Sequence, residues 1–181
     1  MTFRRLSVVA FIALALTAVP VSAREKTKPG KKKRDKQATP AAVTHFKGVE
    51  SITRLVPEDF ALRTESGWNA IALQRAGIRL TEGALDQVVT LKLQVKFTES
   101  YTEDGFAYRL KAEDTVETVA GQKMQCGVWL YFRPHQADAV ARLMKGDTIS
   151  ASGVVRRADI QDYDGTPWLS IDVGGARVAK R

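Results

Sequence analysis

Five side chains near the middle of the chain share one pattern. Arg109 and Lys111 stand two residues apart, and Trp129, Tyr131 and Arg133 repeat that spacing. In an extended strand, a spacing of two puts side chains on one face. Rings and cations on one face suit a ligand that offers flat and anionic groups in turn. In single-stranded nucleic acid, rings stack on bases and guanidinium groups meet phosphate. The same rings would also pack on the C–H face of a sugar. Tyr163 and Trp168 flank a later turn, Asp162-Tyr163-Asp164-Gly165, and would act beside that face as a clamp. Each feature has a structural alternative. More than 40 residues lie between the basic N-terminal segment and the first strand and would be long enough to cover Trp129 and Tyr131. Tyr163 and Trp168 would equally serve to cap one end of the domain.

Catalysis finds little support. The two histidines, His45 and His135, lie far apart, and His135 follows a proline. No G-x-S-x-G, H-E-x-x-H or phosphate-cradling glycine loop is present. No carboxylate pair is singled out. A non-enzymatic protein without a cofactor is the expectation. Asp159, Asp162 and Asp164 resemble a fragment of a calcium loop but lack the later ligands, so they read as a turn and no metal is expected. Cys126 is the only cysteine. That excludes an intramolecular disulfide and a Cys-rich zinc site. It lies in an apolar strand pattern, which predicts burial.

The elements that would hold these residues are mostly strands. Val89, Leu91, Leu93, Val95 and Phe97 alternate with polar residues, which predicts a half-buried strand with those five facing inward. After Glu103-Asp104-Gly105, Phe106, Tyr108, Leu110 and Ala112 form a second set. Gly121 marks a turn. Met124, Cys126, Val128, Leu130 and Phe132 form a third set, so Trp129, Tyr131 and Arg133 face outward. His135 to Lys145 reads as a short amphipathic helix with Ala137, Val140, Ala141 and Met144 toward the core. Thr148–Arg156 is a fourth strand with Gly153 at a bend or bulge, and Trp168–Val173 is a fifth. Ahead of these, Ser66 would cap a helix through about Ala76, with Trp68, Ile71, Ala72 and Arg75 at helical spacing and Gly77 as its stop.

The N-terminus has a different character. Arg4 and Arg5 precede the uncharged, mostly apolar run Leu6–Val19, and Val21-Ser22-Ala23 follows Pro20. This order is that of a cleavable secretory signal peptide over residues 1–23. The run is shorter than the roughly 20 residues a spanning helix needs. A periplasmic or secreted protein is therefore expected. Residues 24–43 carry a Pro-Gly step and Lys31-Lys32-Lys33-Arg34 with few large apolar residues, which predicts a basic disordered tail. Such a tail would attach to an acidic polymer or membrane surface, or act only as a solvated spacer. Residues 44–86 read as an N-terminal extension and 87–178 as the main domain.

The formal charge of +8 does not belong to that domain. Residues 1–23 hold two arginines, and 24–37 hold eight basic and two acidic residues. Setting these aside leaves 18 basic and 18 acidic residues from Ala38 onward. A nucleic-acid-binding domain is more often net basic.

Three strands, a helix and two strands is the order of the five-stranded OB-fold barrel. The segments that carry the likeness are Met124-Gln125-Cys126, Leu143-Met144-Lys145-Gly146-Asp147 and Thr148-Ile149-Ser150-Ala151-Ser152-Gly153-Val154-Val155. Over about residues 66–178 the chain resembles exported OB-fold proteins similar to the tRNA anticodon-binding domain. The resemblance implies a signal sequence, a short helix ahead of the barrel, a single cysteine in the third strand, and ancestry in nucleic-acid binding. It departs in its longer N-terminal extension. The expected fold is all-β with one or two short helices: a five-stranded OB-fold barrel with an N-terminal extension. The expected role is a binding module for an oligomeric ligand, nucleic acid or glycan. The alternative is a structural or protein-interaction piece of the cell envelope, held by its basic tail to an envelope partner. Export itself weighs against nucleic acid, because it carries the barrel away from most of it.

Overall fold

The computed structural model describes residues 43–180. The signal-peptide reading and nearly all of the basic tail lie outside them. The elements are β1 His45–Lys47, α1 Val49–Thr53, β2 Arg63–Thr64, β3 Gly67–Trp68, α2 Ala70–Ala84, β4 Val88–Ser100, β5 Tyr108–Ala112, β6 Thr115–Val119, β7 Gln122–Phe132, α3 Ala137–Ala141, β8 Thr148–Tyr163 and β9 Thr166–Lys180. Among the described residues no helix is long and apolar enough to cross a membrane.

The strands close on themselves. β4 is long enough to serve two neighbours: Val88–Gln94 pair with β8, and Val95–Ser100 pair with β5. β5 and β6 pair successive parts of β7, so together they act as one bent strand broken at Glu113-Asp114. β7 runs parallel to β9, and β9 pairs antiparallel with β8. Counting the β5–β6 strand as one, the ring order is first, second, third, fifth, fourth and back to the first. That is the Greek-key barrel of the OB-fold. Closure removes the exposed edges that an open sheet of this length would present. The interior is filled by the alternating apolar set, including Val89, Leu91, Leu110, Leu130, Ile149 and Ile171. Cys126 is buried with them, and burial pushes its thiol up to about 12.

Several elements differ from the sequence reading, each for a local reason. Asn69, not Ser66, caps α2: its side chain accepts from the Ala72 amide at 3.2 Å. Ser66 and Trp68 belong instead to the β2–β3 hairpin. Gly77 does not end the helix. It lies in the middle, where a Cβ would stand 3.4 Å from the Ile160 amide nitrogen, so a small residue lets α2 approach β8 closely. Thr81 Oγ1 donates to Ala158 O at 3.0 Å across the same contact. The buried face of α2 is thus Ala76, Gly77, Leu80 and Ala84, while Ile71 is exposed. The helix after the third strand is also shorter than expected. A 3-10 turn at Pro134–Gln136 leads into α3, and Asp147 Oδ2 accepts from the Met144 amide beyond its end. Unwinding there buries Leu143 and leaves Met144 exposed.

Bulges in three strands shape the outer surface. In β4 the register slips between Val95 and Phe97, so Phe97 leaves the core face and is 41% exposed. Between β8 and β9 the register slips twice: opposite Gly153, where β9 carries the extra residue, and between Val155 and Arg157, where β8 does. One extra residue inverts the facing of every later residue in the strand. The bulge opposite Gly153 depends on a bare Cα at that position: a Cβ there would lie 2.7 Å from Val173 Cγ1 and 2.8 Å from the Gly174 carbonyl oxygen. Gly153→Ala should therefore destabilise the barrel by about 1–3 kcal/mol, read as a lower midpoint in urea unfolding. An unchanged midpoint would show that the bulge tolerates a side chain.

Candidate binding face

The outer face of the barrel is set by register. Across one row, Phe97 of β4 lies beside Lys111, Lys111 beside Trp129, Trp129 beside Asp172, and Asp172 beside Arg157. In the next, Glu99, Arg109, Tyr131 and Gly174 are neighbours. On the other side of the first row, Gly127, Ser170 and Asp159 align, and then Gln125, Trp168 and Gln161. Four of the sequence-derived residues, Arg109, Lys111, Trp129 and Tyr131, thus share one surface. The bulge in β4 adds Phe97, and the bulge in β8 adds Arg157.

At the centre lies a cleft of about 380 Å³, lined by Lys111, Gly127, Trp129, Arg157, Trp168 and Ser170, with Tyr163 at its rim. Gly127 forms its floor. A Cβ at that position would fall 2.5 Å from Lys111 Nζ and 2.8 Å from Trp168 Nε1. The missing side chain is what lets an ammonium group and an indole N–H meet over the sheet. The Trp168 N–H donates in none of the hydrogen bonds found among the described residues. Tyr163 packs edge-on to Trp168 with ring centres 5.9 Å apart, and Tyr163 is 54% exposed.

The cations are held rather than loose. Lys111 Nζ lies 2.7 Å from Asp114 Oδ1, and Lys96 Nζ lies 2.7 Å from Asp114 Oδ2. Asp114 occupies the break between β5 and β6, so the break is where both ammonium groups find their counter-ion. Burial works to raise the Asp114 carboxyl. Hydrogen bonds from Lys111 and Lys96 outweigh it and hold the group below the usual carboxylate range. The Arg109 guanidinium lies 4.4 Å from the Trp129 ring centre and 5.0 Å from that of Tyr101, and it pairs with Glu99. Arg157 Nε lies 3.2 Å from Asp172 Oδ2. Burial raises the Asp172 carboxyl, with the Arg157 charge pulling the other way.

The rings are covered from within the barrel itself. Phe97 meets Trp129 edge-on at 5.7 Å. Tyr101 and Phe106, from the loop between β4 and β5, meet Tyr131 at 5.0 and 5.8 Å. Tyr131 is buried, and its hydroxyl lies 3.4 Å from Asp172 Oδ2. The N-terminal extension packs elsewhere, α2 on β8 and α1 near β1 and β6. The alternative that the extension covers Trp129 and Tyr131 is thus replaced by cover from the loop and from Arg109. One face of Trp129 is already occupied by a guanidinium, and the open rings are Tyr163, Trp168 and Phe97.

Lys111, Trp129, Tyr163 and Trp168 therefore share the central cleft. Tyr131 borders a smaller one, and Arg133, past the end of β7, lines a third. Sequence reasoning missed Arg157, Gly127 and Ser170. Gly127 carried a signal: it is a glycine on the outward parity of an otherwise bulky strand, which marks close approach by another group. Among the described residues no group of three His, Cys, Asp or Glu is placed to hold a metal.

No protein-family model and no curated protein matches the chain. Among solved structures it is similar to a small single-stranded DNA-binding protein from Streptomyces coelicolor, at 13% identity and TM-score 0.37, covering 53% of this chain and 94% of that one. It is similar to a mitochondrial single-stranded DNA-binding protein from S. cerevisiae, at 13% identity and TM-score 0.32, covering 52% and 96%. It is also similar to the OB domain of a Methanosarcina mazei protein, at 13% identity and TM-score 0.24, covering 54% and 74%. The fold itself is fixed by strand order and register: the chain forms a closed OB barrel.

The paired Asp114 gives this face a pH signature. A carboxyl held below its unfolded value near 3.9 contributes stability above that pH and loses it as pH falls through the lower folded value. Asp114→Asn should flatten the acid limb of thermal stability below about pH 4. Identical acid limbs for variant and wild type would show that the two lysines add nothing through this group.

Proposed function

We propose that the protein is an exported, non-enzymatic OB-fold binding module that takes an anionic oligomer on the outer face of β5, β7 and β9. Single-stranded nucleic acid is the ligand chemistry that fits this face best. The observation that carries the reading is the cleft over Gly127, where Lys111 Nζ and Trp168 Nε1 converge beneath open rings. Two donors suit one anionic oxygen cluster, and Trp168 and Tyr163 suit a flat group beside it. A neutral glycan would use the rings and leave the cations without a role. Lys111, Trp168, Tyr163 and Arg157 are the contacting residues in this reading, with Trp129 and Arg109 supporting them. Kinship with the tRNA anticodon-binding-like OB-folds is part of the same proposal.

Labelled oligothymidylate should bind wild-type protein, and affinity should fall as salt rises. Trp168→Ala should weaken binding about tenfold, within the 1–3 kcal/mol that one stacked base contributes. Lys111→Met should reduce the salt slope by about one. If wild type shows no binding at low salt, nucleic acid is not the ligand.

The proposal extends to location. Residues 1–23 direct export and 24–37 form a basic leash to an acidic polymer or membrane surface. Deleting 24–37 should then shift the mature protein from the envelope fraction to the soluble fraction. Unchanged fractionation would leave the leash as a spacer only.

A further inference from the structure

Three clefts lie in series along the parallel β7–β9 pair. Register fixes their order: Gly127 lies beside Ser170, Trp129 beside Asp172 and Tyr131 beside Gly174. The central cleft occupies the first of these steps. A second, of about 200 Å³, lies between Tyr101, Tyr131 and Asp172 and shares Arg157 with the first. A third, of about 540 Å³, shares Arg156 with the second and is lined by Arg133, His135 and Arg177. From Gly127 to Arg133 the strand advances about 20 Å.

We propose that the third cleft is a second anion subsite, and that a strand of single-stranded nucleic acid long enough to reach it runs along β7 and β9 from Trp168 to Arg177. This rests on the reading of the face given above. Charge is the first argument. Arg133 and Arg177 take part in no ion pair among the described residues. Among the described residues, Asp86 is the one acidic side chain lining the cleft. Cations left together in a concavity focus a positive field and attract an anion. Elsewhere on the face the cations are matched: Lys111 by Asp114, Arg109 by Glu99, Arg157 by Asp172.

The second argument is that the subsite is built. Gln136 accepts from the Arg133 amide at 2.8 Å and donates to the Ala176 carbonyl at 2.6 Å. One side chain thus ties the turn that carries Arg133 to the strand that carries Arg177. Gly174 does for Arg156 what Gly127 does for Lys111: a Cβ there would stand 2.5 Å from Arg156 Cδ. Arg156 therefore lies across β9, with its guanidinium 4.9 Å from the Phe106 ring centre and 2.9 Å from Asp104. It stands at the junction of the second and third clefts.

The test is length dependence. Anisotropy titrations would use oligothymidylates of roughly 4 and 12 nucleotides, spanning the site sizes known for OB-folds. Wild type should bind the longer probe at least tenfold more tightly. Arg133→Ala/Arg177→Ala should remove that gain, leave the shorter probe unchanged, and lower the salt slope for the longer one. Arg75→Ala/Arg79→Ala removes the same charge from α2 and should preserve the gain. Equal losses on both probes, or the same loss in the α2 variant, would reduce the effect to general charge and overturn the subsite. A full gain in the Arg133/Arg177 variant would also overturn it while leaving the central cleft standing. Failure of wild type to bind either probe would instead overturn the reading of the face, and the subsite with it. Binding of a sulfated oligosaccharide with no binding of DNA would overturn the nucleic-acid assignment.

Discussion

The pairing of β7 with β9 is the constraint on which both barrel and face depend. It is the one parallel contact in the ring, and it closes a meander that would otherwise remain an open sheet. Parallel neighbours in register also bring like steps of two strands side by side. Bare positions on one strand thus meet functional side chains on the other: Gly127 lies beside Ser170 and near Trp168, and Gly174 lies beside Tyr131. A side chain at either glycine would push a cation off the sheet. The same interaction therefore closes the core underneath and hollows the surface above.

Electrostatics follows from that hollowing. A formally neutral barrel carries a face where charge is sorted, not absent. Asp114, Glu99 and Asp172 each hold a cation in place, and all three pairs sit beside an aromatic ring. Paired cations at a partly exposed surface contribute little to stability. What they supply is position: Arg109 is fixed on Trp129, and Lys111 is fixed over Gly127. A count of residues averages this away, because a ligand responds to the local field within about a Debye length.

Period-two alternation made the strands legible, and with them the shared face of Arg109, Lys111, Trp129 and Tyr131. It failed where the backbone adds a residue. Phe97 sits on inward parity in the sequence and faces out in the fold, because the slip at Lys96 inverts everything beyond it. Arg157 was hidden in the same way by the slip at Arg156 in β8. Neither bulge carries a glycine or proline to announce it. Helix α2 was misplaced because Gly77 has two physical uses. A glycine ends a helix when its φ is positive, and it permits close packing when its Cα faces another backbone. Only the position of β8 decides between them. The cover over Trp129 and Tyr131 was equally out of reach: Tyr101 sits in a loop without periodicity, and Phe106, which the alternation assigns to the second strand, lies in that loop ahead of β5.

The direction of the ligand path is a consequence of this sorting. A path across the strands from β5 to β9 would cross the matched pairs of Arg109 with Glu99 and of Arg157 with Asp172, where each cation already has its partner. A path along β7 and β9 begins at the indole N–H of Trp168 and ends at Arg133 and Arg177, which take part in no ion pair among the described residues. An anion gains most where the protein's own carboxylates have not already answered the charge. Arg133 and Arg177 are that place at one end; at the other, where Asp114 holds Lys111, the donor is the Trp168 indole N–H. The matched pairs between them hold the rings that a strand would pass over.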